Sequence, residues 1–178
     1  MSLDAQPLPA VTLVLGGARS GKSRYAEGLV AAHGGGLYLA TAEAGDDEMA
    51  ARIRLHQDRR GDIWQTVEEP IDLVGTLARN GMGERPVLVE CLTLWLSNLM
   101  EAGRDLGAET DALIAALPSL PGPVIFVSNE VGLGIVPDNA PARTFMDAAG
   151  RLNQAVAAAA DRVVQITAGL PLTLKNGV

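Results

Sequence analysis

The eight residues Gly16-Gly17-Ala18-Arg19-Ser20-Gly21-Lys22-Ser23 constrain this chain more than any other stretch. They match the pattern G-x-x-x-x-G-K-[ST] in full, directly after a short, partly β-branched apolar run at 11–15 and directly before a helix-like stretch at 22–32. A strand that turns through glycines into a helix aims backbone N–H groups and the positive end of the helix dipole at one point. Phosphate oxygens bind at such a point. In this arrangement, a P-loop, the Lys22 ammonium reaches the β- and γ-phosphates of a nucleoside triphosphate and the Ser23 hydroxyl ligates Mg²⁺. The bland alternative is a glycine-rich turn with no ligand, and the strand before it and helix after it weigh against that.

The remaining sequence repeats the alternation. Strand-like apolar runs fall at 37–40, 64–67, 86–90, 124–128, 163–167 and 172–175. Between them lie helix-like stretches at 46–59, from Pro70 to 78, after 90 through 100, at 110–117 and at 140–160. Residues 103–109 and 129–139 read as loops, and the last two strands are expected to pair near one edge of the sheet. Continuous apolar strands separated by helices predict an α/β fold with a mostly parallel sheet covered on both faces. At 178 residues the chain suits a single catalytic domain over 11–178, preceded by a loose, proline-containing extension over 1–10.

Composition narrows the partners. A net charge of −7 with no Lys/Arg-rich run excludes a nucleic-acid backbone as ligand, so phosphate contacts must be local. No apolar run is long enough to cross a bilayer and the start lacks a signal-peptide pattern, so a cytoplasmic location is expected. Cys91 is the only cysteine; it reads as a small buried hydrophobe rather than a reactive thiol.

A phosphate cradle needs a carboxylate on its Mg²⁺ side, at the end of a neighbouring strand. Glu90, closing the run 87–89, is the candidate, although aspartate is the usual residue there. Its alternative role is to cap an exposed strand end. Ser128, Asn129 and Glu130 close the next strand, and ligands of open α/β sheets sit beyond such ends; a purely structural loop role stands equally open.

Four stretches taken in order carry a more specific resemblance: Gly16 to Ser23; Asp46-Asp-Glu-Met-Ala-Ala-Arg-Ile-Arg-Leu-His56; Trp64-Gln-Thr-Val-Glu-Glu69; and Ser128-Asn-Glu-Val-Gly-Leu-Gly-Ile-Val-Pro137. Together with Gly150-Arg-Leu-Asn-Gln154, they resemble the bifunctional adenosylcobinamide kinase/adenosylcobinamide-phosphate guanylyltransferase family of cobalamin biosynthesis. The resemblance implies a RecA-like P-loop sheet, a homotrimer, and two reactions. One is phosphorylation of adenosylcobinamide by ATP or GTP. The other is transfer of GMP from GTP to that phosphate, giving adenosylcobinamide-GDP and pyrophosphate. It places the guanylylated histidine on His56. It places nucleotide contacts on residues 16–23, on Thr41, Ala42 and Glu43, on Gln57, Asp58, Arg59 and Arg60, and on Glu68 and Glu90. Glu is an accepted strand-end carboxylate in that family.

The implied chemistry is sound for these residue types. A neutral imidazole nitrogen can attack the α-phosphorus of GTP and expel pyrophosphate, and with a free pKa near ~6.5 a useful neutral fraction exists at neutral pH. On a helix, Arg52 and Arg59 share roughly the face of His56 and offset phosphate charge. Glu68 can accept from the ring N–H and exocyclic amine of guanine, or be an ordinary solvated acid. Trp64 can stack on a base or corrin, although packing is the commoner fate. Arg143 and Arg151 read as a solvated helix face, the alternative being that one reaches a neighbour's phosphates in an oligomer. Two rival functions remain on sequence alone: a plain P-loop small-molecule kinase, and a nucleotide-sensing module acting through a partner.

Overall fold

The computed structural model describes residues 7–42, 63–80, 83 and 85–177. The expected helix at 46–59 lies outside these residues. Seven strands form one sheet: β1 (Val11–Gly16), β2 (Gly36–Ala40), β3 (Trp64–Glu68), β4 (Val87–Glu90), β5 (Val124–Asn129), β6 (Arg162–Thr167) and β7 (Leu170–Asn176). Their order is β3-β2-β4-β5-β1-β6-β7. Every neighbouring pair is parallel except β6 and β7, which form an antiparallel hairpin at the edge. The described helices are α1 (Lys22–Ala31), α2 (Leu73–Asn80), α3 (Leu92–Glu101), α4 (Leu106–Ala116) and α5 (Ala140–Ala159), with a 3₁₀ turn at Leu117–Ser119.

The central strands β1, β2, β4 and β5 are apolar along most of their length because side chains on both faces are buried. On one face Leu13, Leu39, Val89 and Phe126 pack with Leu77 of α2, Trp95 and Leu99 of α3, Leu113 of α4, and Leu152 and Val156 of α5. On the other face Val14, Tyr38, Leu88, Ile125 and Val164 pack with Ala26 and Val30 of α1. Alternate residues of one strand thus enter opposite cores, as the period of two requires.

Two helix starts differ from the sequence expectation. Pro70 does not open α2. Glu69 Oε1 accepts from the N–H groups of Ile71 and Asp72, and Asp72 Oδ1 accepts from Gly75 N–H at 3.0 Å, so the cap lies at Asp72 and the helix starts at Leu73. Likewise the expected loop at 103–109 is cut short. Asp105 Oδ1 accepts from Gly107 and Ala108 N–H, both at 3.0 Å, and starts α4 four residues before Thr110. In both places a side-chain cap satisfies orphan N–H groups and overrides the nearby Pro or Gly.

Cys91 is buried, as expected, and burial raises its thiol pKa to about 11, with the Glu90 charge adding to the rise. The folded protein is therefore expected to resist iodoacetamide at pH 8 and to react once unfolded, followed by mass spectrometry. Because burial holds the folded thiol above its ordinary value of 9.0, the stabilisation from this thiol is complete below pH 9 and is lost as pH rises towards about 11.

Candidate active site

Because β1 to β6 run in one direction, their carboxyl ends gather on one side of the sheet, and the expected site residues among those described lie there. The turn from β1 to α1 is the 16–23 loop. A Cβ on Gly16 would collide with Ser20 Oγ and come within 2.8 Å of the Ile166 carbonyl, so only glycine lets the chain turn there. Gly21, at the helix N-cap, has φ of 97°, in the left-handed region that glycine tolerates. Arg19 also has a positive φ, of 57°. The loop is braced from the far side by the β6–β7 turn, where Gly169 N–H donates to the Ser20 carbonyl at 2.8 Å.

Lys22 is buried, and its Nζ folds back over the loop to 3.4 Å from the Gly17 carbonyl. Ser23 Oγ donates to Glu90 Oε1 at 2.8 Å. The sequence reading expected Glu90 on a strand beside the loop. The sheet order corrects this, because β5 lies between β1 and β4. The two side chains meet because α1 runs over β5 towards β4 and carries Ser23 with it. Hydroxyl and carboxylate are both hard oxygen donors, so the pair can hold a small divalent cation whose other ligands are phosphate oxygens and water. Among the described residues no cluster of three or more His, Cys, Asp or Glu offers an alternative metal cage.

Beyond β2, Thr41 is fully buried. Its Oγ1 donates to the Cys91 carbonyl at 2.7 Å and accepts from Cys91 N–H at 2.8 Å, while its carbonyl accepts from Asn98 Nδ2 at 2.7 Å. Thr41 thereby fixes the turn that follows Glu90. Ala42 is half-buried next to it, and Glu68 stands exposed at the end of β3, in register with Ala40. Glu43, Arg52, His56, Gln57, Asp58, Arg59 and Arg60 lie outside the described residues.

Trp64 belongs to the opposite end of the sheet. It opens β3 and packs edge-on against Tyr38, ring centroids 5.8 Å apart, which accounts for it by packing. Arg143 and Arg151 are exposed and donate to the carbonyls of Pro137 and Asp147, as a solvated helix face does. A cavity of about 420 Å³, lined by Leu8, His33, Arg85 and Pro123 among others, also sits at the amino ends of the strands, away from the loop.

Sequence reasoning missed one buried polar network beside the loop. Ser128 Oγ donates to Asn153 Oδ1 at 2.6 Å, Asn153 Nδ2 donates to the Asn129 carbonyl at 3.1 Å, and Asn129 N–H donates to Thr93 Oγ1 at 2.7 Å. It locks the end of β5 opposite Gly16, with which Asn129 is in register. Asn153 falls in the 150–154 stretch that carried part of the resemblance, which was the available signal.

Comparison with known proteins identifies the fold and the family. The structure resembles flagellar accessory protein FlaH of Methanocaldococcus jannaschii (TM-score 0.53, 13% identity, covering 96% of this chain and 80% of that one). It also resembles the P4 protein of bacteriophage phi6 solved with ADP (TM-score 0.53, 14% identity, 97% and 57%). At these identities the likeness establishes the P-loop α/β fold. In sequence the chain is 50% identical to the bifunctional adenosylcobalamin biosynthesis protein CobP of Pseudomonas aeruginosa, over 92% of this chain and 96% of that protein. It is 42% identical to the corresponding CobU of Escherichia coli, over 92% and 98%. The family model described as cobinamide kinase / cobinamide phosphate guanyltransferase matches residues 12–174. A loop shaped for phosphate, its buried lysine and the Ser23–Glu90 pair thus sit in an enzyme that belongs to the cobinamide kinase / cobinamide phosphate guanyltransferase family.

Proposed function

We propose that this enzyme phosphorylates the terminal hydroxyl of adenosylcobinamide with ATP or GTP, and then guanylylates the product through a covalent histidine. The Ser23–Glu90 contact beside the buried Lys22 supports this best, because it is the donor set that a Mg²⁺–triphosphate needs. In the first reaction the acceptor hydroxyl attacks the γ-phosphorus, the bond to the β-phosphate oxygen breaks, and the nucleoside diphosphate leaves. Residues 16–21 and Lys22 hold the triphosphate in line, and Lys22 offsets the charge on the transferring group. Bound Mg²⁺, held through Ser23 and Glu90, supplies further charge neutralisation at the phosphates.

In the second reaction a neutral nitrogen of His56 attacks the α-phosphorus of GTP and pyrophosphate leaves. A phosphate oxygen of adenosylcobinamide phosphate then attacks the same phosphorus, breaking the P–N bond and freeing the imidazole. Glu68 at the end of β3 selects guanine by accepting from its N–H groups. The family resemblance supports further nucleotide contacts from Thr41, Ala42, Glu43, Gln57, Asp58, Arg59 and Arg60. A single domain over 11–178 carries both reactions, and the assembly is a cytoplasmic homotrimer.

Incubation with α-labelled GTP, followed by denaturing electrophoresis, tests the reading. Label is expected on the chain with GTP and Mg²⁺, and absence of label would leave a plain kinase. Glu90→Gln keeps the shape and removes the charge. It is expected to raise the Mg²⁺ concentration for half-maximal rate several-fold and to reduce the Mg²⁺-dependent tightening of GTP binding. An unchanged Mg²⁺ response would return Glu90 to a strand-end cap.

A further inference from the structure

Two groups of large aliphatic side chains stand exposed among the described residues. Leu170, Leu172 and Leu174 line the outer edge strand along its length. The second group lies wholly at the end that carries the phosphate loop: Leu133, Ile135 and Val136, with 86%, 97% and 64% of their surface exposed. They occupy the connection from β5 to α5, and that connection is anchored on both sides. Glu130 N–H donates to the Gly16 carbonyl at 3.1 Å, Glu130 Oε1 accepts from Gly132 N–H at 2.9 Å, and Arg143 donates to the Pro137 carbonyl at 2.9 Å. Val131 packs into the core beneath. The loop therefore holds three aliphatic side chains in water from a base bonded to β1.

Gly134, between Leu133 and Ile135, adds an independent observation. A glycine costs backbone entropy and is explained when φ is positive or when a Cβ would collide. Gly134 meets neither condition: its φ is outside the left-handed region and a Cβ there would meet nothing within 4 Å. Among the described residues nothing requires a glycine at 134, so the backbone there stands open to a body approaching from outside.

We propose that residues 133–136 form the acceptor seat, on which the corrin macrocycle rests, with Leu133, Ile135 and Val136 against its aliphatic parts and Gly134 leaving room between them. This rests on the proposed reactions, which require a bulky acceptor to present its hydroxyl, and later its phosphate, to the nucleotide. The described cavity is at the wrong end of the sheet for that task. The base of the seat is bonded to Gly16, the first residue of the phosphate cradle, so seat and cradle share one end of the sheet.

The test compares wild type, Gly134→Ala, Gly134→Val and Ile135→Ser. Rates are measured with adenosylcobinamide and with adenosylcobinamide phosphate, alongside GTP labelling, thermal stability and molecular mass in solution. For Gly134→Val and Ile135→Ser the corrinoid KM is expected to rise at least about tenfold in both reactions, with a smaller rise for Gly134→Ala. The KM for GTP, the GTP label and the molecular mass should stay at wild-type values, and Gly134→Ala should melt no lower than wild type. A corrinoid KM within about twofold of wild type in all folded variants would overturn the seat. So would a change of molecular mass with unaltered corrinoid KM, which would assign the loop to contact with a second copy. A wild-type enzyme that transfers nothing to either corrinoid would instead bring down the proposed function, and the seat with it.

Discussion

Lys22→Ala is expected to abolish phosphorylation and guanylyl transfer together. In the proposed reactions both steps place a triphosphate in the loop at 16–23, and Lys22 is the cation folded over that loop, Nζ 3.4 Å from the Gly17 carbonyl. Its burial makes the charge effective, since water screens it poorly there. Losing such a contact costs several kcal/mol in the transition state, on the order of a thousandfold in rate. Lys22→Arg is not expected to rescue either activity, because a planar guanidinium does not fit a cradle closed around an ammonium. Steady-state rates for each half-reaction, with circular dichroism to confirm folding, check this. Guanylyl transfer persisting near the wild-type rate would require a second triphosphate site.

His56→Ala should separate what Lys22→Ala removes together. Phosphoryl transfer to a hydroxyl needs positioning and charge stabilisation but no protein nucleophile, so the kinase rate should remain within a few-fold of wild type. Guanylyl transfer should fall to background because the covalent route is closed. The wild-type adduct should be labile in acid and stable in base, as a P–N bond is, and should form with GTP and Mg²⁺. Retention of label by the folded variant, or loss of both activities, would remove His56 from the role of dedicated nucleophile.

The legible parts of this protein were those fixed by short-range rules. Gly16, Gly21, Lys22 and Ser23 announce the cradle because strand, turn and helix must follow one another there, and steric limits on each position are local. The central strands were readable because burial on both faces leaves continuous apolar runs. The strand order was not. Nothing near Glu90 says that β5, which follows it in sequence, inserts between it and β1, so the contact with Ser23 is made through α1 rather than across adjacent strands. The Thr93–Ser128–Asn129–Asn153 network was equally hidden, since each member alone looks like an ordinary polar residue of a helix or a strand end. Asp72 and Asp105 start their helices through side-chain caps, where the sequence pattern instead points to Pro70 as a helix start and to a loop over 103–109.

The insertion of β5 also sets an order of assembly. β1 carries the cradle near the start of the chain, yet its two hydrogen-bonded neighbours, β5 and β6, both come from the last third. During synthesis the glycine loop emerges long before Asn129 and Gly169, the residues opposite Gly16 and under Ser20, exist to hold it. Pairings this distant in sequence close late, because loop entropy is lost before their contacts are gained. The nascent chain is therefore expected to carry its glycine loop as an unformed segment until the closing strands arrive.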